Sequence, residues 1–77
     1  MNMYNVGDIT SNGWEIVEVV TEPSYIMRKR VRITTNYMDL NGKHGYLYLY
    51  PDGPQFNRVF TEDGESYKLN PKEYEFI

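Results

Sequence analysis

Cysteine is absent from this 77-residue chain, so no disulfide can staple the fold and no thiolate can act as a nucleophile. Histidine occurs once, at His44, and a structural zinc site would have to be assembled from that imidazole and carboxylates, which effectively excludes it. Long apolar runs are missing: nowhere do eighteen apolar residues follow one another, and the opening MNMYNVGDIT has no basic stretch leading into an apolar one. These absences read as a cytoplasmic chain with no membrane contact. No phosphate-cradling glycine loop is present. Nor does any segment repeat apolar residues at i, i+3, i+4 and i+7 over three turns, which argues against an amphipathic helix.

What the chain does contain is turns. Four of its six glycines follow Asn or Asp, at Asn12-Gly13, Asn41-Gly42, Asp52-Gly53 and Asp63-Gly64. Asx-Gly is a strong local signal for a tight turn, because both residues tolerate positive φ. The last three begin eleven residues apart, the spacing of an antiparallel meander. Between them lie segments suited to strands: 4–9, 13–20, 25–35, 45–50, 56–60, 66–69 and 74–77. The expected fold is all-β, one domain over 1–77. In the third segment Tyr25, Met27, Val31 and Ile33 share a core face, while Arg28, Arg30 and Arg32 face water. Leu47 and Leu49 are core candidates, which lines up Tyr46, Tyr48 and Tyr50 on the opposite side.

One place invites a helical turn. In LNPKEYEFI, Asn70 can cap, Pro71 suits the first helical position, and Glu73 stands three residues after the cap. A single 3₁₀ turn near the C-terminus followed by a short strand is the expected outcome. That ending, with Tyr74 and a last apolar strand, resembles the C-terminus of SH3-like barrels, and VGDI followed by Trp14 is similar to their early loop. The resemblance implies a small, partly open antiparallel barrel of five to seven short strands. Closure of that kind hides strand edges that would otherwise pair with other chains.

Charge is segregated. Residues 1–23 carry Asp8, Glu15, Glu18 and Glu22 without a base, a net −4; residues 24–45 are +4; residues 46–77 are −3. The stretch YIMRKRVRITT places Arg28, Arg30 and Arg32 about 7 Å apart on one strand face, a spacing comparable to successive phosphates. With Tyr46, Tyr48 and Tyr50 as stacking groups, this is a candidate nucleic-acid surface. The acidic remainder opposes a polyanion, however, and makes cross-strand pairing of these arginines with Glu15, Glu18 or the C-terminal acids the simpler expectation. A second constellation is acidic: Glu62, Asp63 and Glu65 on one hairpin, and Glu73 and Glu75 alternating on the last strand. A row of carboxylates can imitate a phosphate backbone and compete for the basic groove of a DNA-binding protein.

Catalysis has little to stand on. His44 lies in the turn NGKHG beside Lys43 with no oriented nucleophile, and the carboxylates of TEDGES straddle an exposed turn where desolvation cannot raise a pKa. DLNGKHG has its glycine at the fourth position of a would-be calcium loop instead of the sixth. No cofactor or metal is implied. Eight tyrosines exceed what so small a barrel can bury, so a tyrosine seam with Phe56 or Phe60 between two copies is a further expectation. In composition (short, acidic, cysteine-free, rich in Tyr and Asn) the chain is similar to the early proteins with which tailed phages redirect their hosts. That resemblance implies a non-enzymatic inhibitor occupying the nucleic-acid-binding surface of a basic host protein, such as a nucleoid protein. The alternative is a small nucleic-acid-binding barrel that uses the arginine strand.

Overall fold

The computed structural model describes residues 4–21 and 24–77; Glu22, counted above with the acidic N-terminal segment, lies outside them. Six strands form one antiparallel sheet: β1 (Glu15–Thr21), β2 (Ser24–Ile33), β3 (His44–Leu49), β4 (Arg58–Thr61), β5 (Ser66–Tyr67) and β6 (Tyr74–Phe76). Strands β1 to β5 follow one another across the sheet, and β6 returns to pair with β2. One edge of β2 is therefore shared: β1 covers Ser24–Arg28 and β6 covers Val31–Ile33. No ladder among the described residues joins β5 back to β1, so the sheet stays open. At ten residues β2 spans about 33 Å, which accounts for the long dimension of the 43 × 22 × 21 Å molecule.

All four Asx-Gly steps become turns with positive φ at the glycine, from 88° at Gly64 to 141° at Gly53. The C-terminal 3₁₀ turn forms at Pro71–Glu73, with the reciprocal capping of Asn70 and Glu73 in place. Two further short turns appear, a left-handed one at Tyr37–Asp39 with positive φ at Met38 and Asp39, and a 3₁₀ turn at Pro54–Phe56. The second displaces the start of the predicted 56–60 strand to Arg58. Residues 4–9, expected as a strand, form none. The Asp8 carboxylate accepts the Asn5 N–H at 2.8 Å and the Asp8 N–H donates to the Asn5 carbonyl at 3.0 Å, closing a turn at Gly7. The segment is tied to β1 by the Ile9–Glu15 bridge and by two backbone hydrogen bonds with Ile16, the Gly7 N–H donating to its carbonyl and its N–H donating to the Asp8 carbonyl, each at 2.9 Å.

The main core cluster is Val31, Ile33, Leu40, Leu47 and Val59, with Trp14, Leu49, Tyr67, Leu69 and Tyr74 packed against it, and Ile16 of β1 is fully buried as well. Tyr25 and Met27, expected to join it, are only half-buried. They stand on the part of β2 beyond its pairing with β6, where both line an open surface hollow with Leu49, Tyr50 and Pro54. Lys29 shares the core face of β2 by alternation, between Met27 and Val31, and is half-buried. Its ammonium lies 4.9 Å from the Phe76 ring centroid and 5.7 Å from that of Trp14, and donates to the Asn12 carbonyl at 2.7 Å. One lysine thus fastens the loop before β1 and the C-terminal strand to the middle of β2.

Candidate functional site: an arginine and tyrosine sheet face

The register of the ladders builds the outer face in rows. Glu15, Arg28, Tyr48 and Arg58 stand opposite one another across β1, β2, β3 and β4. A second row is Arg30, Tyr46, Phe60 and Ser66. In a third, Glu75, Arg32 and His44 run across β6, β2 and β3. All three arginines and the tyrosines at 46 and 48 therefore share one surface, as alternation required. Tyr50, just past β3, stacks on Tyr48 with centroids 6.5 Å apart and planes at 23°. Phe60 meets Tyr48 edge-on at 5.0 Å. The Arg28 guanidinium lies 4.1 Å from the Tyr46 ring centroid and that of Arg30 lies 5.8 Å from it. The result is a continuous patch of π faces and cations, with His44 as its first residue in β3 and not in a loop.

Each β2 arginine is held by a carboxylate. Arg28 Nε donates to Glu15 Oε1 at 2.7 Å, Arg30 Nη2 to Glu62 Oε2 at 2.9 Å, and Arg32 to Glu75. Arg28 Nη1 also donates to the Tyr48 hydroxyl at 3.1 Å. The Glu15 bond, followed by partial burial that opposes it and by the Tyr48 bond, holds the Arg28 guanidinium above its already high ordinary pKa, so it stays charged at every accessible pH. Arg58 instead donates to the Gln55 and Asn57 carbonyls at 3.1 and 2.8 Å and forms no ion pair among the described residues.

The five acidic candidates do not assemble as a row. Glu62 and Glu75 serve Arg30 and Arg32. Asp63 accepts from Lys43 Nζ at 3.1 Å and from the Thr61 hydroxyl. The Thr61 bond first, and Lys43 second, hold the Asp63 carboxyl below its usual value, while Asp63 in turn raises Lys43. Glu73 closes the 3₁₀ turn and bends back to accept the Asn70 N–H at 2.7 Å, so it does not alternate with Glu75 along β6 as expected. Glu65, exposed like Glu62, Asp63 and Glu75, is the one of the five whose carboxylate forms no side-chain hydrogen bond or ion pair among the described residues. Glu62 as a partner for Arg30 has no local signal, because 32 positions separate them.

Comparison with protein-family models, with curated proteins and with solved structures finds no match to this chain.

Proposed function

We propose that the chain is a non-enzymatic binding protein that works by occupying the surface of a partner protein, as a small inhibitor of a host macromolecule does, and that its outer sheet face is the contact. One observation carries the reading: the three β2 guanidiniums are already paired within a surface of Tyr46, Tyr48, Tyr50 and Phe60. Tyrosine and arginine dominate the cores of protein–protein interfaces, where rigid rings bury area at little entropic cost. Pre-paired arginines enter such an interface with their charge partners in place. A polyanion would instead have to displace three carboxylates, against a net charge of −3.

The acid-row form of the same idea has a basic DNA-binding host protein meeting Glu62, Asp63, Glu65, Glu73 and Glu75. It has less geometric support, since four of the five carboxylates are engaged within the molecule. A second reading, direct nucleic-acid binding, is favoured by the co-facial register of Arg28 with Tyr48 and of Arg30 with Tyr46, which is the layout of a stacking platform beside cations.

Affinity capture from cells separates these readings when run with wild type, Tyr48→Glu, and the double variant Glu73→Lys with Glu75→Lys. A short fluorescent oligothymidylate is titrated in parallel at low salt. The expected result is a specific protein retained by wild type and by the double variant, lost in Tyr48→Glu, and no retention of the oligonucleotide. Salt-sensitive oligonucleotide binding abolished by Arg30→Glu with Arg32→Glu would establish the second reading in its place. Capture kept in Tyr48→Glu and lost in the double variant would return the contact to the acidic C-terminal residues.

A further inference from the structure

The rows of the outer face extend to the last residue. The Ile77 N–H donates to the Arg30 carbonyl at 3.3 Å, one step beyond the Val31–Phe76 rung, so Ile77 stands beside Arg30 as Glu15 stands beside Arg28. By alternation from Glu75, whose carboxylate pairs with Arg32, the Ile77 side chain lies on the outer face, and it is 52% exposed. Across the four columns of the sheet the first row reads Glu15, Arg28, Tyr48, Arg58. The second reads Ile77, Arg30, Tyr46, Phe60.

Each of these rows is complementary to its own reverse. A two-fold axis lying between two face-to-face sheets, parallel to the strands and midway between β2 and β3, sets every row against the same row read backwards. In the first row Glu15 then meets Arg58 and Arg28 meets Tyr48; in the second, Ile77 meets Phe60 and Arg30 meets Tyr46. One step further along the β2–β3 ladder, Ile26 meets Tyr50. Every charge finds its opposite or an aromatic ring, and every apolar side chain finds another. An axis perpendicular to the strands would instead set the arginines of β2 against one another. The polar atoms needed are unspent. Glu15 binds Arg28 through Oε1, and its Oε2 has no hydrogen bond among the described residues. Arg58 donates to the Gln55 and Asn57 carbonyls through Nη1 alone, which orients the guanidinium and leaves Nε and Nη2 without a partner among the described residues.

We propose that the outer face closes on a second copy of this chain in a weak two-fold dimer, held by reciprocal Glu15–Arg58 pairs, arginine over tyrosine, and Ile77 against Phe60. The third row sets its limit, because there Glu75 faces Glu62, and sheet twist draws the two faces apart away from the matched rows. Three rows of four columns cover about 19 by 20 Å, roughly 400 Å² per copy. The total of about 800 Å² falls short of the ~1,200 to 2,000 Å² of stable complexes, so the dimer forms at high concentration and opens on dilution. It goes beyond the reading of this face as a contact for another protein, and the two complexes exclude each other: self-association stores the chain with its contact surface covered.

Sedimentation equilibrium of the full-length chain by itself, from about 5 µM to about 1 mM at low salt, reads the dimer directly. Wild type is expected to be monomeric at the lowest concentration and half dimeric near about 100 µM. Arg58→Glu and Glu15→Arg, each alone, set like charges together twice and should weaken association at least about tenfold. An equal mixture of the two should dimerise again, since each chain supplies the charge the other lost. Ile77→Asp, at an exposed position, should weaken association about fivefold; with Arg58→Glu it carries the test if Glu15→Arg, deprived of its Arg28 pair, fails to show a cooperative melt. A wild-type chain that stays monomeric at about 1 mM overturns the proposal. So does a dimer that Arg58→Glu and Ile77→Asp leave unchanged, or a mixture of two folded charge variants that does not associate. Should the chain stay monomeric while Tyr48→Glu loses the protein captured by wild type, the outer-face reading stands and the dimer is refuted. Should the dimer form while wild type captures no protein, the dimer stands and that reading fails.

Discussion

Gly45→Ala tests the packing that creates the outer face. Gly45 sits in β3 between Val31 of β2 and Thr61 of β4, and its backbone needs no left-handed freedom. Space is the constraint. A Cβ at this position would overlap the Phe60 carbonyl oxygen and lie 2.9 Å from both the Phe60 carbonyl carbon and the Thr61 Cα, where ordinary contact begins at about 3.4 Å. All three atoms are backbone, so β4 as a whole has to move away from β3. That motion opens the rungs Gly45–Thr61 and Tyr46–Phe60 and loosens Val59 against Leu47. Losing about two ladder hydrogen bonds, with partial exposure of two core side chains, costs about 3 to 5 kcal/mol. Total stability for a domain of this size is about 4 to 12 kcal/mol, so the melting temperature should fall by more than about 12 °C. Gly64→Ala is the control: no atom lies within 4 Å of its Cβ, and only its φ of 88° opposes the substitution. It should cost about 1 kcal/mol. Urea unfolding followed by tryptophan fluorescence measures both. Equal costs for the two variants, or a Gly45→Ala cost below about 1 kcal/mol, would refute the close approach of β3 and β4.

Lys29→Met keeps the aliphatic stem but removes the ammonium from Asn12, Trp14 and Phe76; it should destabilise by roughly 1 to 2 kcal/mol in urea unfolding, with faster amide exchange in the loop before β1 and in β6. Asp63 has a lowered folded pKa, so its contribution to stability is present above its ordinary value of 3.8 and is lost as pH falls through the lower folded value. Lys43 is raised, so its contribution is present below 10.5 and is lost as pH rises through the higher folded value. Thermal melts of Asp63→Asn should therefore lose less stability than wild type below about pH 4, and an unchanged acid slope would contradict the pairing. Leu40→Ala empties a fully buried site in the loop between β2 and β3 and should cost about 2 to 5 kcal/mol by the same unfolding measurement.

Much of this architecture was legible because it is local. Asx-Gly pairs carry their own backbone preference, and all four became turns. Alternation put Arg28, Arg30 and Arg32 on one face and Val31 and Ile33 on the other, and Asn70-Pro71 with Glu73 announced its own turn. What escaped was long-range or was set by competition. Lys29 occupies a core-face position by the same alternation that placed Val31 there, yet a lysine reads as solvent until two aromatic rings from distant segments cover it. Glu73 and Glu75 have the spacing of a strand row, but the cap at Asn70 claimed the first before β6 began. Residues 4–9 alternate passably, and a side-chain turn at Asp8 overrode them. The pairing of β6 with β2, and so of Glu75 with Arg32 across 43 positions, depends on how the chain end returns, which no local pattern encodes.

Whether a partner meets the outer face is read out by hydroxyl-radical footprinting of the captured complex, followed by mass spectrometry. Oxidation of Tyr46, Tyr48 and Phe60 should fall on complex formation, while that of Phe76 and Val6, exposed elsewhere, should stay as in the free protein. Unchanged oxidation of Tyr48 and Phe60, with protection confined to residues 62–65 and 73–77, would rule out the outer face as the contact.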